Sequence, residues 1–246
     1  MAETRKKAEE MVLIIENWLR SKMDDAGCAG GIVGLSGGID SAVVAALLKR
    51  VFGENMLAVK MPCHSLSEDG DHADLMIDSF DLPWTSVDLS DVYDRFTEIL
   101  SLDKNSLAAA NIKPRLRMTV LYALAQDSNF LVCGTGNKAE LTVGYFTKHG
   151  DSGADLLPLA DLTKGEVREV ARFLGVPAVI VEKAPSAGLW EGQTDEKEMG
   201  LSYDQIDEYI VRGGKCEASD EIDRRFKLTE HKRKLPEACI VFEDRI

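Results

Sequence analysis

The chain has 246 residues, of which 45% are hydrophobic and 29% charged, and a formal net charge of −13. A compact fold of this size fits one domain over residues 1–246, and so acidic a balance argues against general nucleic-acid binding, which draws its affinity from positive surface. No apolar run approaches the roughly 18 residues of a membrane span, so no membrane partner is expected.

Ala8, Met11, Val12, Ile15, Trp18 and Leu19 recur at steps of three and four, which predicts an amphipathic first helix ending near Gly27. Acids interrupt this stretch, unlike a signal peptide, and a cytoplasmic protein is expected. A strand at Gly31–Leu35 follows, then a glycine-rich turn and the apolar helical series AVVAALLKR. Met56–Met61, Trp84–Val87 and Phe130–Cys133 are further short apolar runs separated by helix-length segments. This alternation predicts an α/β fold, a doubly wound open parallel sheet with helices on both faces, because parallel strands need crossover connections.

Pro114 marks the start of a helix whose apolar face is Leu116, Val120, Ala123 and Leu124. Thr163 with Glu166 forms a capping-box signature before Val167, Val170, Ala171 and Leu174, with Gly175 as its stop. Ser202 with Gln205 repeats that signature before Ile206, Tyr209 and Ile210. Asp151–Gly153 and Ala184–Gly200 lack periodicity and are predicted loops, the second long enough to close over a ligand. Cys28, Cys63, Cys133, Cys216 and Cys239 form no Cys-x-x-Cys pair and are odd in number, so they signal neither a zinc site nor a disulfide framework.

The chemistry concentrates in Gly34-Leu35-Ser36-Gly37-Gly38-Ile39-Asp40-Ser41, between a predicted strand and a predicted helix. Paired glycines let backbone approach a phosphate, the helix start adds partial positive charge, and two serine hydroxyls add donors. Asp40 beside a phosphate requires a cation between them, for which Mg²⁺ is the natural candidate. No lysine follows the glycines, so this is not the common ATPase loop. Two other readings stand: a plain glycine turn, and the G-x-S-x-G nucleophile elbow of α/β-hydrolases, with Ser36 and His231 in the required chain order.

Gly134-Thr135-Gly136-Asn137-Lys138-Ala139-Glu140 also follows an apolar strand and opens toward a helix. In a parallel sheet both turns emerge at one carboxyl edge, where Thr135 can meet a nucleotide and Glu140 can supply a second metal ligand beside Asp40.

These two segments resemble the ammonia-dependent NAD synthetases, together with Asn111–Met118 (NIKPRLRM), Gly144–Asp151 (GYFTKHGD), Ala184–Trp190 (APSAGLW) and Gln193–Glu196 (QTDE). The likeness spans residues 30–60 and 111–212 and resumes at His231-Lys232-Arg233. Its SGG-x-DS loop is shared with a wider ATP pyrophosphatase superfamily of Rossmann-like, adenine nucleotide alpha hydrolase-like fold. The resemblance implies adenylation of the nicotinate carboxylate of deamido-NAD by ATP with loss of pyrophosphate. Ammonia then displaces AMP to give NAD.

By position, the resemblance assigns Gly34, Leu35, Ser36, Gly37, Gly38, Ile39, Asp40, Ser41, Thr135, Lys164 and Ser186 to ATP. It assigns Asp40 and Glu140 to Mg²⁺, and Arg115, Lys148, Asp155, His231 and Lys232 to deamido-NAD. Each of these charged residues also has a plainer reading as solvated surface or turn. Asp151 is the candidate catalytic group, orienting ammonium or accepting its proton, with a loop-structuring role as the alternative. Segment 63–72, where adenine contacts would be sought, does not align.

The resemblance further implies a homodimer, and about thirty residues before the first strand leave no room for a glutaminase domain. Free ammonia is therefore the implied donor, unless a separate glutaminase subunit delivers it. Two further rivals are another adenylating ligase of the superfamily and a non-catalytic nucleotide-binding module. The second would leave Arg115 and Lys148 without a task.

Overall fold

The computed structural model describes residues 6–185 and 194–241. Its first half runs α1 (Ala8–Ala26), β1 (Gly30–Gly34), α2 (Ile39–Phe52), β2 (Met56–Lys60), α3 (Ser67–Phe80), β3 (Trp84–Ser86), α4 (Ser90–Ile99), α5 (Leu107–Ala110), α6 (Ile112–Ser128) and β4 (Phe130–Val132). The second half is helical: α7 (Lys138–Val143), α8 (Lys164–Leu174), α9 (Ala178–Val181), α10 (Asp195–Met199), α11 (Tyr203–Val211), α12 (Ser219–Leu228) and α13 (Glu230–Arg233).

Strand order is β3-β2-β1-β4, and each pairing is parallel, with Gly31 opposite Met56, Gly30 opposite Phe130 and Ala58 opposite Trp84. Alternate strand residues point to opposite faces, so strands rich in apolar side chains call for helices on both. Val33 and Ala58 join Leu19, Leu47 and Val170 from α1, α2 and α8 on one face. Ile32, Val59 and Val132 join Tyr93, Ile112 and Ala125 on the other, under α4 and α6. A third cluster, with Ala139, Tyr203, Ile206 and Ile222, ties α7, α11 and α12 together.

The expected doubly wound α/β arrangement is therefore present. Winding reverses between β1 and β4, and ligands of such sheets bind in the crevice that this reversal opens at the carboxyl edge.

Local signals explain the boundaries. Gly27 ends α1 and Gly175 ends α8, both left-handed at φ 65° and 84°. Both capping boxes form, Thr163 with Glu166 and Ser202 with Gln205. Two boundaries differ from expectation. α6 begins at Ile112, so Pro114 is its third residue, a position where the missing N–H costs nothing because first-turn amides have no intrahelical acceptor. Within the expected loop Ala184–Gly200, Asp195–Met199 is helical and stops at left-handed Gly200; residues 186–193, Ser186 among them, lie outside the described residues. Among the described residues no helix is long and apolar enough to cross a membrane.

Thr163 Oγ1 accepts from the Glu166 amide at 3.3 Å. Thr163→Ala should lower the unfolding free energy by about 1 kcal/mol, measured by urea denaturation.

Candidate active site

The turn between β1 and α2 is built for backbone chemistry. Leu35 and Ile39 anchor its two ends by burying their side chains in the core, and the Leu35 amide donates to the Val59 carbonyl at 2.9 Å. Ser41 Oγ lies 3.0 Å from Ser36 Oγ, donates to the Gly38 carbonyl at 2.9 Å and accepts from the Ser36 amide at 3.2 Å. These bonds curl the turn. Gly38 caps α2 without a side chain, which leaves the first-turn amides and the positive end of a 14-residue helix for an anion. Gly37 has φ 78°, and a Cβ there would stand 2.2 Å from the Asp69 carbonyl oxygen, so the turn and the start of α3 meet backbone to backbone.

Across the crevice, the Asn137 side chain caps α7 by accepting from the Glu140 amide at 3.1 Å, while Glu140 Oε2 accepts from the Asn137 amide at 3.2 Å. The same Asn137 donates through Nδ2 to Asp40 Oδ1 at 3.0 Å. One asparagine thus positions both expected metal ligands. Their remaining oxygens converge on Lys164 Nζ, 2.5 Å from Asp40 Oδ2 and 3.4 Å from Glu140 Oε1. Burial raises the Glu140 carboxyl well above the ordinary carboxylate range, partly offset by Lys164. Burial also opposes the Lys164 ammonium, but Asp40 and Glu140 outweigh it and raise its pKa. Tyr203 adds its hydroxyl, 2.9 Å from Asp195 Oδ2 and 3.2 Å from Glu140 Oε1, with its ring under the ammonium.

These groups open on a cavity of about 690 Å³. Its wall includes Thr135, Lys232 and Asp151 as well as the whole turn except Gly37. Residues Ser65–Ser67, Asp69, Gly70 and Ala73 form the wall beside the turn, so the segment that sequence left unaligned borders the same cavity. Arg117 supports it, donating to the Met61 carbonyl at 3.1 Å and Ser65 Oγ at 3.3 Å, and Lys183 pairs with Asp69 at 2.8 Å. Cys63 is buried and His64 binds Asp94; among the described residues no cluster of three or more His, Cys, Asp or Glu could hold a metal.

The other expected substrate residues form a rim. Lys232 Nζ donates to the Gly144 and Phe146 carbonyls at 2.8 and 2.9 Å. Lys148 Nζ donates to the His231 carbonyl at 2.6 Å, and Arg115 reaches the Lys148 carbonyl at 3.3 Å. Arg115, Lys148 and His231 are thus gathered but stand off the cavity wall, as does Asp155, which accepts from the Val132 amide at 2.8 Å and Tyr122 at 3.0 Å. Asp151 accepts from the Thr147 amide at 2.8 Å, and surrounding protein raises its carboxyl pKa against that bond. Ser36 bonds only to its own turn, and among the described residues no histidine is bonded to it, which leaves a hydrolase elbow without its base.

Sequence reasoning missed Asn137 as a bridge, Tyr203, Lys183 and Arg117. Arg117 and Asn137 lay inside quoted motifs. The asparagine three residues before Glu140 was a readable capping box.

The family described as NAD synthase matches residues 11–236. The chain belongs to the NAD synthase family. This family member is 50% identical over 234 residues to the NH(3)-dependent NAD(+) synthetase of Carboxydothermus hydrogenoformans, covering 93% of this chain and 96% of that one. Its fold matches the NMN synthetase of Francisella tularensis with a TM-score of 0.91, at 37% identity over 96% of this chain and 99% of that one. It also matches an NH3-dependent NAD synthetase from Campylobacter jejuni, with a TM-score of 0.78 at 27% identity, over 96% of this chain and all of that one.

Tyr203→Phe withdraws a hydroxyl from the buried Asp195 carboxylate and the part-buried Glu140 carboxylate. It should lower stability by about 1–3 kcal/mol in urea unfolding, with the fold retained by circular dichroism.

Proposed function

We infer that this NAD synthase family member is a ligase that amidates deamido-NAD with ammonia, consuming ATP and releasing AMP and pyrophosphate through an adenylated nicotinate. The observation that carries it is the uncapped, hydroxyl-braced start of α2, whose own Asp40 is brought together with Glu140 of α7 by Asn137 at the sheet's reversal point. A nicotinate carboxylate oxygen attacks the α-phosphorus, and pyrophosphate departs into the amides of the turn. The lone pair of ammonia then forms the C–N bond, AMP leaves with the C–O electron pair, and a proton is lost from nitrogen. Asp151, on the cavity wall and held by the Thr147 amide, is the group proposed to orient the ammonia and take that proton.

Such transfer depends on positioning and charge neutralisation rather than a protein nucleophile. We assign ATP to the turn, Thr135 and Lys164, and the carboxylate substrate to Lys232 and the rim of Arg115, Lys148 and His231; Asp155 and Ser186 rest on the family likeness alone. Mg²⁺ fits the donor set, since two carboxylates already converge on one cation and this ion commonly uses one or two carboxylates plus phosphate oxygens. Asp40 and Glu140 would hold it, where it would neutralise phosphate charge.

A second reading concerns the carboxylate substrate. The likeness to an NMN synthetase, and a rim standing off the cavity wall, favour tests of nicotinate mononucleotide beside deamido-NAD. Purified protein with ATP, Mg²⁺, ammonium and each substrate should form NAD or NMN with equimolar AMP, measured by chromatography. Asp40→Asn and Glu140→Gln should each lower pyrophosphate release by about a hundredfold or more. No product from either nucleotide would refute the ligase reading.

We further propose that residues 1–246 work as one domain in the cytoplasm, where ATP is available and thiols stay reduced, and that two copies associate. Supporting association, Val92, Phe96 and Ile99 form an exposed apolar row along α4, with Leu100 and Leu107 nearby also exposed. Phe96→Asp should shift sedimentation from dimer to monomer, and an unchanged sedimentation coefficient would remove this face from the interface.

A further inference from the structure

The point on which Asp40 and Glu140 converge is already filled. Lys164 Nζ stands there, its side chain 2% exposed, with the Tyr203 ring centroid 4.8 Å away. Each carboxylate has one oxygen fixed by Asn137, so the oxygens turned toward a metal are the same ones that the ammonium engages. Among the described residues no third carboxylate, histidine or cysteine completes a metal cluster. A divalent ion entering alone would meet a positive charge at the site and two partly neutralised ligands.

The backbone of Lys164 cannot carry the charge away. Asp207 accepts from the Lys164 amide at 3.1 Å and the Gly165 amide at 2.8 Å, which fixes the start of α8. The side chain can, because four methylenes separate Nζ from that fixed point and Lys164 lines the cavity. An incoming phosphate offers the ammonium a stronger anion on the cavity side.

We propose that Lys164 is the resident counter-ion of this site, holding the two carboxylates together in the free protein and keeping divalent metal out until ATP draws the ammonium away. The proposal rests on the nucleotide reading of the turn. It assigns Lys164 a task distinct from contacting ATP: metal and nucleotide bind with positive coupling because one residue must leave before the other ligand can settle.

The test is a Mn²⁺ titration without nucleotide, followed by the electron paramagnetic resonance of the free ion. Wild-type protein should bind weakly, and Lys164→Met at least tenfold more tightly, a gain lost again in Lys164→Met with Asp40→Asn. If Lys164→Met does not fold by circular dichroism, Lys164→Gln, which keeps a donor toward Asp40 but no charge, is read in the same way. A non-hydrolysable ATP analogue should tighten Mn²⁺ binding to wild type, and more than it does in the variant. Equal Mn²⁺ affinity in variant and wild type, or no effect of the analogue on wild type, would overturn the proposal. The outcome is separable from the ligase reading, since absence of NAD formation alongside the expected Mn²⁺ gain removes that reading alone.

Discussion

The Lys164 ammonium joins the start of α8 to the first turns of α2 and α7 through Asp40 and Glu140. A charge so far from water persists only when partners replace its hydration, and two carboxylates so close together persist only with a cation between them. Neither half is stable alone, so the three chain segments are held in one arrangement. Asn137 fixes the carboxylates from behind and Tyr203 closes the base, drawing α11 into the same cluster. The geometry of the β1–α2 turn relative to the second wall follows from this buried contact as well as from the sheet, whose strands β3 and β4 are three residues long.

The electrostatics resolve what net charge alone leaves puzzling. In a protein at −13 the cations are gathered locally: Lys164, Lys183, Arg117 and Lys232 all line one cavity. Each is engaged, with carboxylates, carbonyls or a hydroxyl. The protein's own acceptors thus hold these cations in fixed positions along the cavity.

Much of this was legible in the chain. Short apolar runs at helix-length spacing specified the parallel sheet, and capping boxes and left-handed glycines gave helix ends because their bonds span only three or four residues. The glycine turn between β1 and α2 was readable for the same reason. What escaped was long-range. The Tyr203 hydroxyl meets Glu140 across 63 positions, and no local pattern marks a tyrosine as a partner for a distant acid. The wall at 65–73 escaped because it contributes shape, with serines and a glycine that read as an ordinary helix start. Asp155 was readable as an acid beside the site but not as the acceptor that pins β4 to α6 through Val132 and Tyr122.

The backbone contact between Gly37 and Asp69 also bears on how the crevice can diverge. Because main chain touches main chain there, the aperture between the β1–α2 turn and α3 is set by atoms that every sequence shares. Side chains along 65–73 are then free to be exchanged without widening the mouth. Any side chain at position 37 would act as a wedge between the turn and α3.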